Sequence, residues 1–72
     1  MKITFDPEVD VIRIVFRDVP IEESDEDKPG IIFDYDSNGG IVSLEIHDAS
    51  RQTVNPQSIE YTILSKPSSA PD

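Results

Sequence analysis

The stretch Ile31-Ile32-Phe33-Asp34-Tyr35-Asp36-Ser37-Asn38-Gly39-Gly40-Ile41-Val42-Ser43-Leu44-Glu45-Ile46 decides the fold of this chain. Two alternating apolar runs flank Asn38-Gly39, and Asn-Gly is the strongest short-range hairpin signal because a type I′ turn needs positive φ at both central residues. The pairs predicted on one face are Tyr35 with Val42, Phe33 with Leu44 and Ile31 with Ile46. Those predicted on the other are Asp34 with Ser43 and Ile32 with Glu45. A slip of one residue would mix the two faces, so the pattern predicts both the hairpin and its register.

Two further alternating segments precede this hairpin. Residues 2–5 predict a short strand with Ile3 and Phe5 on one face, and Asp6-Pro7-Glu8 predicts a turn because Pro presets φ at the second turn position. Residues 10–17 also alternate, and two Arg residues mark the wetter side of that strand. The side chains predicted to face the core are therefore Ile12, Ile14 and Phe16.

The remaining segments are less regular. Residues 18–30 hold six acids and two Pro, which disfavour a central strand and predict a mobile loop. Residues 47–53 predict either one helical turn or a loose connection. Residues 58–64 alternate again and predict a fifth strand, with Ile59, Tyr61 and Ile63 on one face. Residues 65–72 have nothing to bury and predict a disordered tail.

These segments predict a mainly β protein, a single small antiparallel meander of four to five strands that is twisted or curled. Residues 1–64 form its one domain and residues 65–72 its tail. A domain of 72 residues without Cys has a thin core and no disulfide to stabilise it. A single sheet with no helix over its apolar face must curl or pack against another chain, so we expect a homodimer.

The charge of the chain limits its partners. Fifteen Asp and Glu against six Lys and Arg give a net charge of −9. Phosphate backbones and anionic membranes would repel such a chain, which argues against nucleic acid and membrane as partners and favours a basic protein. No apolar run has the length of a signal peptide core or a membrane span, so the predicted location is the cytoplasm.

Residues 34–45 also match the calcium-loop pattern of an EF-hand. Oxygen-bearing side chains occupy positions one, three and five, Gly occupies position six and Glu position twelve. The candidate calcium ligands are Asp34, Asp36, Asn38 and Glu45. An EF-hand needs a helix on each side, and Pro29-Gly30 before a β-branched pair argues against the first helix. The hairpin explains the same residues, so divalent-cation binding stays the alternative function.

The sequence offers no catalytic apparatus. His47, Asp48 and Ser50 are the three residue types of a hydrolytic triad, but triad members are assembled in space from separate elements rather than laid side by side. The chain has a single His, no Cys and no glycine-rich phosphate loop. We therefore predict no catalytic residue, no cofactor and no enzymatic activity.

Two blocks of the sequence resemble a known family. They are Phe5-Asp6-Pro7-Glu8-Val9-Asp10-Val11-Ile12-Arg13-Ile14 and the segment from Asp34 to Ser50 that ends in Glu-Ile, two residues and Ala-Ser. Together they are similar to the short prokaryotic proteins of the domain of unknown function 2283 family, over residues 2 to about 64. The resemblance implies a small β protein with no established activity, catalytic residue or cofactor. It also implies an antitoxin-like pairing with a small basic toxin for some members.

Overall fold

The computed structural model describes residues 1–65. They form one five-stranded antiparallel sheet and one short helix. The elements are β1 (Lys2–Asp6), β2 (Val11–Val15), β3 (Glu23–Lys28), β4 (Ile31–Tyr35), β5 (Ile41–His47) and α1 (Ala49–Gln52). The predicted mainly β, antiparallel fold is confirmed. The predicted disordered tail, apart from Ser65, lies outside the described residues.

The sheet joins two units that are each consecutive in the chain. β1 and β2 form a hairpin, β3, β4 and β5 form a three-stranded meander, and β2 pairs with β5, which gives the order β1-β2-β5-β4-β3. The connection from β2 to β3 therefore departs from a plain meander. Pairing β2 with β5 places two strands of matching apolar pattern side by side at the centre, and it leaves the charged β3 at an edge where water solvates its side chains.

The prediction of a loop over all of residues 18–30 is wrong, because Glu23–Lys28 is a strand. It forms β3 and pairs with β4, with every residue exposed. Pro and adjacent acids do exclude a central strand, but an edge strand needs a partner on one side only. The charges stay solvated there while the backbone still joins the sheet.

The central hairpin has the predicted register over most of its length. Four predicted pairs are present, Ile31 with Ile46, Ile32 with Glu45, Phe33 with Leu44 and Asp34 with Ser43. The pair nearest the turn is wrong, because Tyr35 lies opposite Ile41 after a bulge. Gly39 has φ of +83°, whereas Asn38 does not have positive φ, so the turn is not type I′. The backbone amide of Gly39 instead donates to the Asp36 carbonyl at 3.0 Å, which makes Ser37 and Asn38 the central turn residues.

The segment after β5 begins with a helical turn and then runs without regular structure. Ala49 begins α1, is fully buried and donates its amide to the carbonyl of Asp10 at 2.9 Å. The predicted fifth strand at residues 58–64 is absent from the described chain, where this segment has no regular structure and pairs with no strand. The prediction that Phe16 faces the core is also wrong, because β2 ends at Val15 and the Phe16 side chain is 44% exposed.

Candidate interaction surface

The two faces of the sheet differ in chemistry because side chains alternate along each strand. Cross-strand pairs carry one apolar row from β1 to β4 and a second row beside it. We define the apolar face by these rows, which are Ile3, Ile14, Leu44 and Phe33, and Phe5, Ile12, Ile46 and Ile31. All eight positions follow the parity predicted from the sequence.

The apolar face is only partly covered. No side chain of its two rows is fully buried, and in the described chain the fully buried hydrophobic residues are Val42, at 2% exposure, and Ala49, at 0%. Burial of apolar surface is the main stabilising term in folding, so the partly buried side chains of this face leave a part of that stabilisation unused. A layer packed on this face would recover it.

The segment after α1 crosses one end of this face and forms a groove with it. The groove has a volume of about 520 Å³. Its floor is formed by side chains of β1, β2 and β5, namely Ile3, Phe5, Ile12, Ile14 and Ile46. Its wall consists of residues from Gln52 to Ile59. The result is an apolar depression open on one side, the shape that suits an apolar side chain from another segment.

The opposite face carries a polar network centred on Asp34. Asp34 is 1% exposed, and its two carboxylate oxygens accept hydrogen bonds from the hydroxyls of Ser24 and Ser43, each at 2.6 Å. Burial raises the pKa of Asp34, but the Ser24 and Ser43 hydrogen bonds, with Glu45 and the charge of Arg13, outweigh it and lower the pKa below its ordinary value. Asp34 is therefore a structural anion that ties β3, β4 and β5 together.

Asp36 organises the turn of the central hairpin. Its Oδ1 accepts hydrogen bonds from the amides of Asn38 at 2.9 Å and Gly40 at 2.8 Å, and its Oδ2 accepts one from Arg17 at 2.8 Å. The Gly40 amide and the Arg17 guanidinium hold the pKa of Asp36 below its ordinary value. This Asx-type bonding explains the turn geometry, because the Asp36 side chain takes the Gly40 amide that a type I′ turn over Asn38-Gly39 would bond to the Ser37 carbonyl.

The structure brings Asp34 and Glu45 together but gives the four calcium candidates no common point. Asp34 lies on the face opposite the apolar face, where its carboxylate accepts hydrogen bonds from Ser24 and Ser43. Asp36 is paired with Arg17. Glu45 lies 3.3 Å from the Nε2 of His47, and Asn38 is exposed in the turn. Within residues 1–65, no three His, Cys, Asp or Glu side chains are grouped to hold a metal ion. Calcium needs six to eight oxygens at one point, and these four do not supply a common one.

The residues of the triad pattern have separate partners. His47 approaches Glu45, and the hydroxyl of Ser50 donates to Oδ2 of Asp10 at 2.6 Å. Asp48 has φ of +52° at the start of α1 and its side chain makes no capping hydrogen bond. The three side chains form no relay with one another. The absence of enzymatic activity stays a prediction.

Sequence reasoning missed two contacts that shape this domain. One is the bond from Ser24 to Asp34, which required β3 to be a strand. The other is Asp10, which has φ of +60° and accepts hydrogen bonds from both the amide and the hydroxyl of Ser50. Asp is among the residue types that tolerate positive φ, so an Asp after a Pro-containing turn was the available signal.

Fold and surface together define a small antiparallel β domain with one partly covered apolar face. A family model described as protein of unknown function (DUF2283) matches residues 2–50 of the 72, and the chain belongs to this family. The match runs from β1 into α1 and thus covers the whole sheet. No curated protein and no solved structure matches the chain. Among the described residues, no helix is both long and apolar enough to cross a bilayer.

Proposed function

We propose that this protein is a non-enzymatic protein–protein interaction module that works as a homodimer, with the apolar face of its sheet as the docking surface. The observation that carries the proposal is the open groove of about 520 Å³ on that face, whose floor consists of aliphatic and aromatic side chains. An open apolar depression of this kind is a feature of protein interaction sites. Cytoplasmic location, predicted from the sequence, is part of the same proposal.

The available apolar surface suits a partner layer. A contact over the apolar face has to bury about 800 Å² per partner to match a typical stable interface. A fully buried Ile or Phe side chain contributes roughly 1.5–3 kcal/mol relative to full exposure, and a side chain that is already partly buried adds a fraction of that on contact. The eight side chains of the apolar face together supply part of the several kcal/mol that association costs in lost rigid-body freedom.

Charge distribution favours the apolar face over the edges for contact between two acidic copies. The acids of β3 lie at the edge opposite β1, in the sequence Glu-Ser-Asp-Glu-Asp-Lys, with all six residues exposed. Two copies meeting face to face need not bring these edges together. If the partner is instead a different protein, the net charge of −9 favours a basic one, as in an antitoxin-like pairing.

Light scattering at micromolar concentration tests the homodimer. We expect twice the chain mass of 8.1 kDa for the wild type. Ile3→Lys places a charge on the apolar face and should give a monomer, whereas Thr4→Lys adds the same charge to the other face of the same edge strand and should leave the dimer intact. Circular dichroism of both variants confirms that the sheet is present.

A wild-type monomer under these conditions overturns the homodimer. The basic-partner version then has its own test, a pull-down with the wild-type chain from its native host. Failure to recover a stoichiometric basic protein rejects that version as well. Equal masses for Ile3→Lys and Thr4→Lys would show that the apolar face is not the contact.

A further inference from the structure

The segment Ser58–Leu64 has the side-chain pattern of a strand but no strand to pair with. Ile59, Tyr61 and Ile63 alternate with polar residues and are 60%, 73% and 80% exposed. β-branched and aromatic residues at alternate positions favour a half-buried pleated surface. An apolar segment left unpaired in water loses the stabilisation that pairing and burial would provide.

The two edges of the sheet differ in their capacity to accept a further strand. β3 presents Glu23, Asp25, Glu26 and Asp27, and such a charged edge resists addition of another strand. β1 presents Lys2-Ile3-Thr4-Phe5-Asp6, in which the apolar residues alternate as they do in Ser58–Leu64. β1 is therefore the receptive edge, and a strand added there would extend the apolar face by one more row.

Parity and charge select one antiparallel register. The apolar side chains of Ser58–Leu64 and β1 share a face only if odd-numbered residues lie opposite odd-numbered residues. Two such registers overlap most of both segments. In one, Tyr61 faces Phe5 and Glu60 faces Asp6, two like charges directly opposite, which is destabilising. In the other, Tyr61 faces Ile3, Ile59 faces Phe5 and Glu60 faces Thr4, diagonal to Lys2. The second register keeps the apolar contacts and replaces the repulsion with an attraction.

We propose that Ser58–Leu64 of one copy adds as an antiparallel strand to β1 of a second copy, in reciprocal exchange about a two-fold axis. The inference rests on the proposed homodimer and adds a contact at the β1 edge to the contact between the two apolar faces. The chain's own β1 is close by, because Ile59 lines the groove with Ile3 and Phe5. Residues 60–65 nevertheless remain exposed and unpaired, so this segment and the β1 edge are left for another chain. A reciprocal exchange pairs the β1 edge of each copy with a strand from the other copy, and it closes the assembly at two copies.

Cysteine pairing tests this exchange directly, because the protein contains no Cys of its own. Two single variants are made, Thr4→Cys and Glu60→Cys, and they are mixed and oxidised mildly at micromolar concentration. Residues directly opposite in a sheet have Cβ atoms about 4.5–5.5 Å apart, close enough for a disulfide after small adjustment. We expect a disulfide joining one chain of each variant. A mixture of Asp27→Cys with Glu60→Cys is the matched control for addition to the β3 edge and for random collision.

The outcomes separate this inference from the proposed function. A mixed disulfide that forms much faster with Thr4→Cys than with Asp27→Cys supports the exchange. Equal rates, or preference for Asp27→Cys, overturn it while the dimer mass stands. If the double variant Thr4→Cys/Glu60→Cys closes only within single chains, the strand folds onto its own sheet and the exchange is wrong. A wild-type monomer overturns both.

A substitution pair gives a second measurement that does not depend on cysteine. Tyr61→Asp places a charge on the side of Ser58–Leu64 that would join the apolar face, and Thr62→Asp places the same charge on the side that would face Lys2. We expect Tyr61→Asp to weaken dimerisation by at least about tenfold, the scale of one buried apolar side chain. Thr62→Asp should leave the dissociation constant within about threefold of wild type, since its side lies in water beside a cation. Equal dissociation constants for the two variants contradict the exchange.

Discussion

The carboxylate of Asp34 provides the sharpest test of how this sheet is held together. Asp34→Ala removes the acceptor of two short hydrogen bonds from Ser24 and Ser43, each at 2.6 Å. Ser24 is exposed and regains water, but Ser43 is 0% exposed and its hydroxyl loses the Asp34 oxygen that accepts its proton. Hydrogen bonds to a charged group are worth about 1.5–3 kcal/mol each, and an unsatisfied buried hydroxyl costs about 1–3 kcal/mol. We therefore expect Asp34→Ala to lower the free energy of unfolding by about 3 kcal/mol.

That loss is large for a domain of this size. At roughly 0.05–0.15 kcal/mol per residue, 72 residues have a free energy of unfolding of roughly 4–11 kcal/mol. Urea unfolding followed by circular dichroism measures the loss. Asp25→Ala is the matched control, an exposed acid on neighbouring β3, and it should change the free energy of unfolding by less than about 0.5 kcal/mol. A loss below about 1 kcal/mol for Asp34→Ala would refute the network as a stabilising element.

The same carboxylate predicts a pH dependence with a defined sign. The folded-state pKa of Asp34 is lowered from its ordinary value of 3.8, so its charge contributes stability above 3.8 and that contribution is lost as pH falls through the folded-state pKa. The stability difference between wild type and Asp34→Asn should be full at neutral pH and should shrink below 3.8. Using this difference removes the effect of the overall charge of −9, which both proteins nearly share. A difference that grows on acidification contradicts the assignment.

Further predictions concern the turns and the calcium alternative. Gly39→Ala should lower the free energy of unfolding by about 1 kcal/mol, because φ of +83° strains an L residue although no atom lies within 4 Å of the new Cβ. Gly30→Ala should cost more in the same urea assay, since its Cβ would also lie 3.2 Å from the carbonyl oxygen of His47; equal losses would show that this contact is tolerated. Calcium up to millimolar concentration should leave the amide NMR shifts of the central turn unmoved, because Asp36 is already paired with Arg17. Saturable shifts at that turn would instead establish a calcium site.

The central hairpin shows how far local pattern reaches. Alternation, together with a reversal placed at Asn38-Gly39, predicted that Phe33 lies opposite Leu44 and Ile31 opposite Ile46, since a slip of one residue would mix the two faces of the sheet. The turn itself was decided by a side chain. The Asp36 carboxylate takes the amides of Asn38 and Gly40, and that choice moves Tyr35 opposite Ile41.

The sequence by itself determined the class of fold, the parity of the apolar face and the register of the central hairpin, because these depend on neighbours a few residues apart. Only the tertiary structure decided that Glu23–Lys28 is a strand, that β2 pairs with β5 and that Ser58–Leu64 stays unpaired. Each of these depends on which strand edges remain open once the others have paired. Edge availability belongs to the assembled sheet and leaves no mark in the local sequence. For the same reason the buried pairing of Ser24 with Asp34 became visible only when β3 and β4 were placed side by side.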